Sequence, residues 1–210
     1  MTQFSVAEGV YVSVTPAGAF HAAASRSQEP AARLIRRLLS LPATPTLDAS
    51  GRRALGWEGA EEDLLELLYR MQALGWLEGL DAPRYAPEMT MERDVPERLA
   101  KISERRQGLL ADSQGLHLVS TGFPHEAVEE IAALAASIDG LQQRFGLLLR
   151  GNLRIPATGW GVVDAAANGQ LGFWPLDIGK QTFVLALAGA PDFTQPGFVE
   201  LLWWLTRRYA

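Results

Sequence analysis

Between Pro124 and Phe145 the apolar residues Ile131, Leu134, Ile138, Leu141 and Phe145 recur at alternating spacings of three and four. That period belongs to an α-helix with one broad apolar stripe, and such a stripe must be buried against another layer. Glu126, Glu129 and Glu130 stand at its start and Arg144 near its end, with Gly146 just beyond. This is the polarity that the helix dipole favours. A helix of this length between segments with strand character restricts the chain to a mixed α+β architecture in which the helix covers a sheet.

The flanking segments supply that sheet. Gly108–Ala111 and Leu116–Ser120 are short apolar runs joined by Asp112-Ser113-Gln114-Gly115, a turn in which Asp starts the reversal and Gly supplies positive φ. Pro96–Ile102 predicts a short preceding helix with Pro in its first turn. After the long helix, Leu147 to Leu149 reads as the start of a strand, followed by strands at Trp160–Val163, Leu171–Trp174 and Phe183–Ala188. Arg150 to Gly159, with Pro156 and two glycines, interrupts the pattern and leaves the register of the central strands open. Pro196 opens a closing helix to Tyr209.

The hairpin Leu109–Ser120 and the Ala-rich run Glu130–Ile138 resemble the roadblock/LC7 family of small α/β domains, including its bacterial members. The likeness covers residues 95–210. It implies an α/β sandwich with a five-stranded, mainly antiparallel sheet, pairing of two copies through the long helix and the strand after it, and, in bacterial members, a small Ras-like GTPase as partner. Ala132, Ala136 and Gly140 form a second, small-residue stripe at every fourth position, which would let a partner helix approach closely. We therefore expect a two-fold homodimer with Ala132, Ala136, Gly140, Leu147 and Leu149 at its interface. Alanines also simply propagate a helix well.

Residues 81–96 hold Pro83, Pro87 and Pro96, are mostly polar, and carry no sustained apolar period. They read as a linker between a domain at 1–80 and one at 97–210. In the first domain, Val10, Val12 and Val14 alternate and Thr15-Pro16-Ala17-Gly18 follows as a turn, predicting a strand that enters a hairpin. Helices are expected from Glu29, with Leu34, Ile35, Leu38 and Leu39 inward, and from Ala60 to Leu74. A short helix is expected within 47–57, and a strand at 76–80. The order helix, Gly, aromatic, strand over residues 28–86 resembles the last helix and wing of winged-helix domains. A DNA-reading helix brings Arg, Lys, Asn or Gln to bases and phosphates. This one carries Glu61, Glu62, Asp63 and Glu66 against Arg70. Protein docking or a structural role is thus the leading reading of this domain, and a DNA-binding regulator with a dimerising second domain is an alternative. Arg33, Arg36 and Arg37 form the domain's one basic cluster, read as a solvated helix face.

Composition narrows the chemistry. The chain has 210 residues, a net charge of −5 and no Cys, so thiolate metal sites, disulfides and cysteine nucleophiles are excluded. The acidity argues against nucleic acid as the main partner. His21, His117 and His125 have no ligand spacing to a third donor, so no metal is expected. Phosphate-loop, dinucleotide and nucleophile-elbow motifs are missing, and Gly159-Trp160-Gly161 is not followed by a helix pattern. Glu126, Glu129 and Glu130 are accounted for by the helix dipole and Asp112 by its turn, so no catalytic residue, cofactor or enzyme activity is expected.

No stretch approaches the about 18 apolar residues of a membrane span, and Met1–Val14 lacks a signal-peptide pattern, so a cytoplasmic chain without a membrane partner is expected. The closing helix is apolar around nearly its whole circumference at Phe198–Leu205. It is either packed on several sides or presents Trp203 and Trp204 to a partner. A further alternative is a small-molecule sensor with its ligand near Trp160, Phe173 and Trp174.

Overall fold

The computed structural model describes residues 9–24, 26–155 and 157–210. Most of Met1–Val14, the segment without a signal-peptide pattern, lies outside the described residues, as does Pro156. The fold is mixed α/β, with seven α-helices among the described residues and a five-stranded antiparallel sheet. The chain forms two compact units. One comprises the described residues up to Glu88 together with Val199–Ala210; the other is Met89–Phe198. The break after Glu88 falls inside the segment read as a linker, but the closing helix joins the first unit from Val199 onward.

The first unit contains β1 (Tyr11–Val14), α1 (Pro16–Ala23), α2 (Pro30–Ser40), α3 (Ala49–Leu55), α4 (Glu61–Ala73) and β2 (Leu77–Leu80). β1 and β2 pair antiparallel, with Tyr11 opposite Leu80 and Val14 opposite Leu77. No hairpin follows β1. Thr15 is an N-cap whose hydroxyl accepts from the Gly18 backbone N–H at 3.2 Å, and Pro16 occupies the first helical position. The same Thr-Pro pair that suggests a turn is therefore a helix start. On α2, Leu34, Ile35, Leu38 and Leu39 are all buried. α4 buries Leu64, Leu68 and Met71 and passes into β2 through Gly75 at φ +71°. β2 takes the chain's first strand as its partner, not a strand that follows it.

The second unit contains α5 (Asp94–Ile102), β3 (Gly108–Asp112), β4 (His117–Thr121), α6 (His125–Leu147), β5 (Trp160–Val163), β6 (Gly169–Ile178) and β7 (Gln181–Ala188). α7 (Pro196–Tyr209) begins at its end. Strand order is β4-β3-β7-β6-β5, antiparallel throughout. The Asp112 carboxylate accepts from the backbone N–H groups of Gln114 (2.9 Å) and Leu116 (2.8 Å), and Gly115 has φ +85°, the turn its sequence predicts. α6 covers one face of the sheet: Val128, Ala132 and Ala135 pack on Leu109, Ala111, Phe173, Val184 and Ala186. The predicted strand at Leu147–Leu149 is not formed. α6 runs through Leu147 and ends in a π-helical turn, Leu148–Asn152.

Candidate protein-interaction site

The buried face of α6 is Val128, Ala132, Ala135, Asp139 and Gly146. Ala132 is therefore packed under its own sheet and is not available to a partner. Ala136 is also occupied. A Cβ placed at Gly115 would lie 3.3 Å from the Ala132 carbonyl and 3.3 Å from the Ala136 Cβ, so the hairpin turn rests on these small residues. The close approach that the small-residue stripe permits is thus made by the chain's own β3–β4 turn. Gly140 is exposed, with nothing within 4 Å of where a Cβ would stand. Leu147 is 78% exposed; Leu149 is half-buried and its carbonyl accepts from Ile155 N–H at 2.8 Å.

The large residues expected to cover the sheet lie further out. Ile131 and Ile138 pack at the margin of the core, whereas Leu134 is 40% and Leu141 38% exposed. The outward face of α6 combines them with Ala133, Ser137 and Gly140, all exposed. Glu126, Glu129, Glu130 and Arg144 are exposed on the same helix, and none forms an ion pair among the described residues. Beneath the C-terminal half of α6 the contact with β5 is polar. The Trp160 indole N–H donates to Gln142 Oε1 at 2.8 Å; within α6 itself, the Gln143 amide donates to the buried Asp139 carboxylate at 2.7 Å. β5 is an edge strand: it pairs with β6 alone among the described residues, and Val162 and Val163 are exposed. An unpaired edge beside an apolar helix face is a ready template for another chain.

Of the other sequence-predicted positions, Trp160 and Trp174 line one open pocket of about 410 Å³, and Phe173 is not part of its lining. Trp203 and Trp204 are 5% and 8% exposed, and the Trp203 indole N–H donates to the Leu41 carbonyl at 2.8 Å. These indoles are core residues, not partner anchors. Phe173 is fully buried on the α6 face, and Trp160, opposite it in β5, shares that face. Trp174 lies on the reverse face, over Gly172, where a Cβ would come within 2.2 Å of its ring. Of the three aromatics proposed to hold a ligand, Phe173 is thus taken by the core under α6, and only Trp160 and Trp174 border the pocket. On α4, Arg70 pairs with Glu66, and Arg52 of α3 with Glu61, so the single base of α4 is already neutralised. No group of three His, Asp or Glu side chains converges among the described residues. No described helix is long and apolar enough to cross a membrane.

Several solved structures are similar to the C-terminal part of the chain. A roadblock/LC7 domain from Streptomyces avermitilis matches 56% of this chain and 97% of its own, at 19% identity and a TM-score of 0.40. MglB of Myxococcus xanthus matches 55% of this chain and 81% of its own, at 16% identity and a TM-score of 0.32. The gliding protein MglB from Thermus thermophilus matches 54% and 84%, at 20% identity and a TM-score of 0.33. No family model and no curated protein matches the chain.

Proposed function

We propose that this chain is a non-catalytic, dimeric adaptor that works through protein contacts, with the exposed face of α6 and the β5 edge as its self-association surface. The observation that carries this reading is the arrangement of α6 about Ser137. If two copies cross antiparallel on a two-fold axis at Ser137, positions equally far on either side meet across the axis. Leu134 then faces Gly140 of the other copy and Leu141 faces Ala133, large against small on both sides of the axis. Two turns from the axis, Glu130 faces Arg144. The small-residue contact moves by one position from the stripe read in the sequence: Gly140 stays in it, while Ala133 and Ser137 replace Ala132 and Ala136.

Light scattering on the full chain tests this directly, with a two-chain mass as the expected result. Arg144→Glu places two like-charge pairs in the interface and weakens the dimer about tenfold. Combining it with Glu130→Arg restores the association. A monomer at micromolar concentration, or no rescue in the double variant, overturns the arrangement.

For the partner, the likeness of Leu109–Ser120 to roadblock/LC7 domains supports a small Ras-like GTPase that the dimer binds or regulates. The N-terminal unit then serves as a winged-helix-like docking or structural module, its acidic α4 unsuited to DNA. Purified protein that neither binds any small GTPase from the same source nor alters its turnover ends this part of the reading.

A further inference from the structure

We infer that the first unit carries a binding groove for an acidic peptide segment in extended conformation, built by α2 and the end of α3. The groove encloses about 530 Å³; Arg33 and Arg37 supply its charge, Leu34 and Leu55 its apolar part, and Trp57 and Glu58 also line it. This site is independent of the α6 face and of the dimer proposed there.

The three arginines of α2 have separate fates. Arg36 is structural: its Nε donates to the Ala22 carbonyl at 3.1 Å and its Nη1 to the Ser27 carbonyl at 2.7 Å. The Arg37 Nε donates to the Ala54 carbonyl at 2.7 Å, which ties the side chain to the end of α3 and leaves its terminal amines without a carboxylate. The Arg33 side chain has no hydrogen bond or ion pair among the described residues, and Glu58 pairs with neither arginine. Elsewhere in the unit Arg52, Arg70 and Arg84 each meet a carboxylate directly. Two guanidinium groups thus stay unneutralised at a groove with a carboxylate of its own.

Trp57 is fixed in place. Its indole N–H donates to the Ala60 carbonyl at 3.0 Å, and a Cβ at Gly59 would stand 2.9 Å from Nε1. The groove therefore has a preset aromatic surface, which lowers the ordering cost of binding.

The spacing selects the ligand. Arg33 and Arg37 are one helical turn apart, about 6 Å between Cβ atoms. Alternate side chains of an extended peptide lie about 6.7 Å apart on one face. Acidic residues at positions one and three of such a segment meet the two arginines, each carboxylate accepting paired hydrogen bonds from a guanidinium. Position five projects to the same side, toward Trp57, with the buried Leu34 and Leu55 beneath it at the groove floor. A long polyanion is disfavoured, because Glu58, Glu61, Glu62 and Asp63 follow Trp57 directly in the chain.

Fluorescence anisotropy of a fluorescein-labelled Glu-Ser-Glu-Ser-Phe peptide with the full chain tests the assignment. Saturable binding is expected, with a loss of about tenfold for Arg33→Glu and for the Gln-Ser-Gln-Ser-Phe peptide. Arg33 is exposed and its side chain unpartnered, so this variant leaves the fold intact, as circular dichroism checks. Three results overturn the inference: no saturable binding, equal binding of the Gln peptide, or binding unchanged by Arg33→Glu. Tighter, Arg33-dependent binding of a short DNA duplex assigns the groove to nucleic acid instead and also overturns it.

Discussion

His21 stacks on the Trp76 indole with ring centroids 3.9 Å apart, and its buried Nε2 has no hydrogen-bond partner among the described residues. Burial holds its pKa below the ordinary imidazole value; Glu29 pulls the other way and Arg36 adds a smaller depression. The folded chain therefore keeps His21 neutral at a pH where the unfolded chain begins to bind a proton. The unfolded state binds more protons as pH falls from about 6.5 through the depressed folded value, so stability is present above that window and is lost within it. His21→Phe keeps an aromatic ring on Trp76 and removes the titration. The melting temperature of the variant is expected to fall less than that of the parent between about pH 7 and about pH 5. Parallel curves would show that the imidazole does not contribute. Tryptophan carries another lesson at this scale. An indole is both a good interface anchor and a good core residue, and what separates the two is a buried acceptor for its N–H. For Trp203 that acceptor is the Leu41 carbonyl, 162 positions away, so sequence patterning has no access to it.

The elements themselves were largely legible. α2, α4, α5, the β3–β4 hairpin and β7 follow from apolar period and turn chemistry, because these signals depend on neighbours a few residues apart. The rotational phase of α6 was not. A helix turns about 100° per residue, so a one-residue error in phase exchanges Ala132, fully buried, for Ala133, exposed. Apolar period assigns the largest residues to the core. Here the sheet is approached so closely that it takes Ala132 and Ala135 and leaves Leu134 and Leu141 outside. Two matched substitutions read that phase. Ala132→Leu forces a large side chain between α6 and the sheet and is expected to cost about 1–3 kcal/mol. Ala133→Leu leaves the fold within about 0.5 kcal/mol but blocks the space the proposed partner's Leu141 needs. Urea unfolding of both, beside their masses in solution, distinguishes core from surface; equal stability losses would refute the assigned phase.

At the scale of the whole molecule, chain order and spatial grouping part company. Residues from Val199 belong with the first unit although more than a hundred residues separate them from Glu88. A stretch rich in proline and poor in apolar residues, such as 81–96, is visible in one dimension. The return of a terminal helix to an earlier unit leaves no local mark, because a helix apolar on all sides only shows that something must cover it. The structure names part of that cover: Val199 and Trp203 line a small cavity with Val12, Val14, Leu38 and Leu39. Cutting the chain after Phe198 therefore removes core from the first unit. Loss of several buried aromatic and aliphatic side chains, each at about 2–5 kcal/mol when truncated, exceeds the about 5–15 kcal/mol that holds an ordinary domain together. Hydrogen exchange followed by mass spectrometry is expected to show protection lost across α2 and α4 and retained across β3, β6 and β7. Loss of protection in the sheet as well would mean that the two units fold as one cooperative body, and unchanged protection in α2 and α4 would mean that α7 is dispensable to the first.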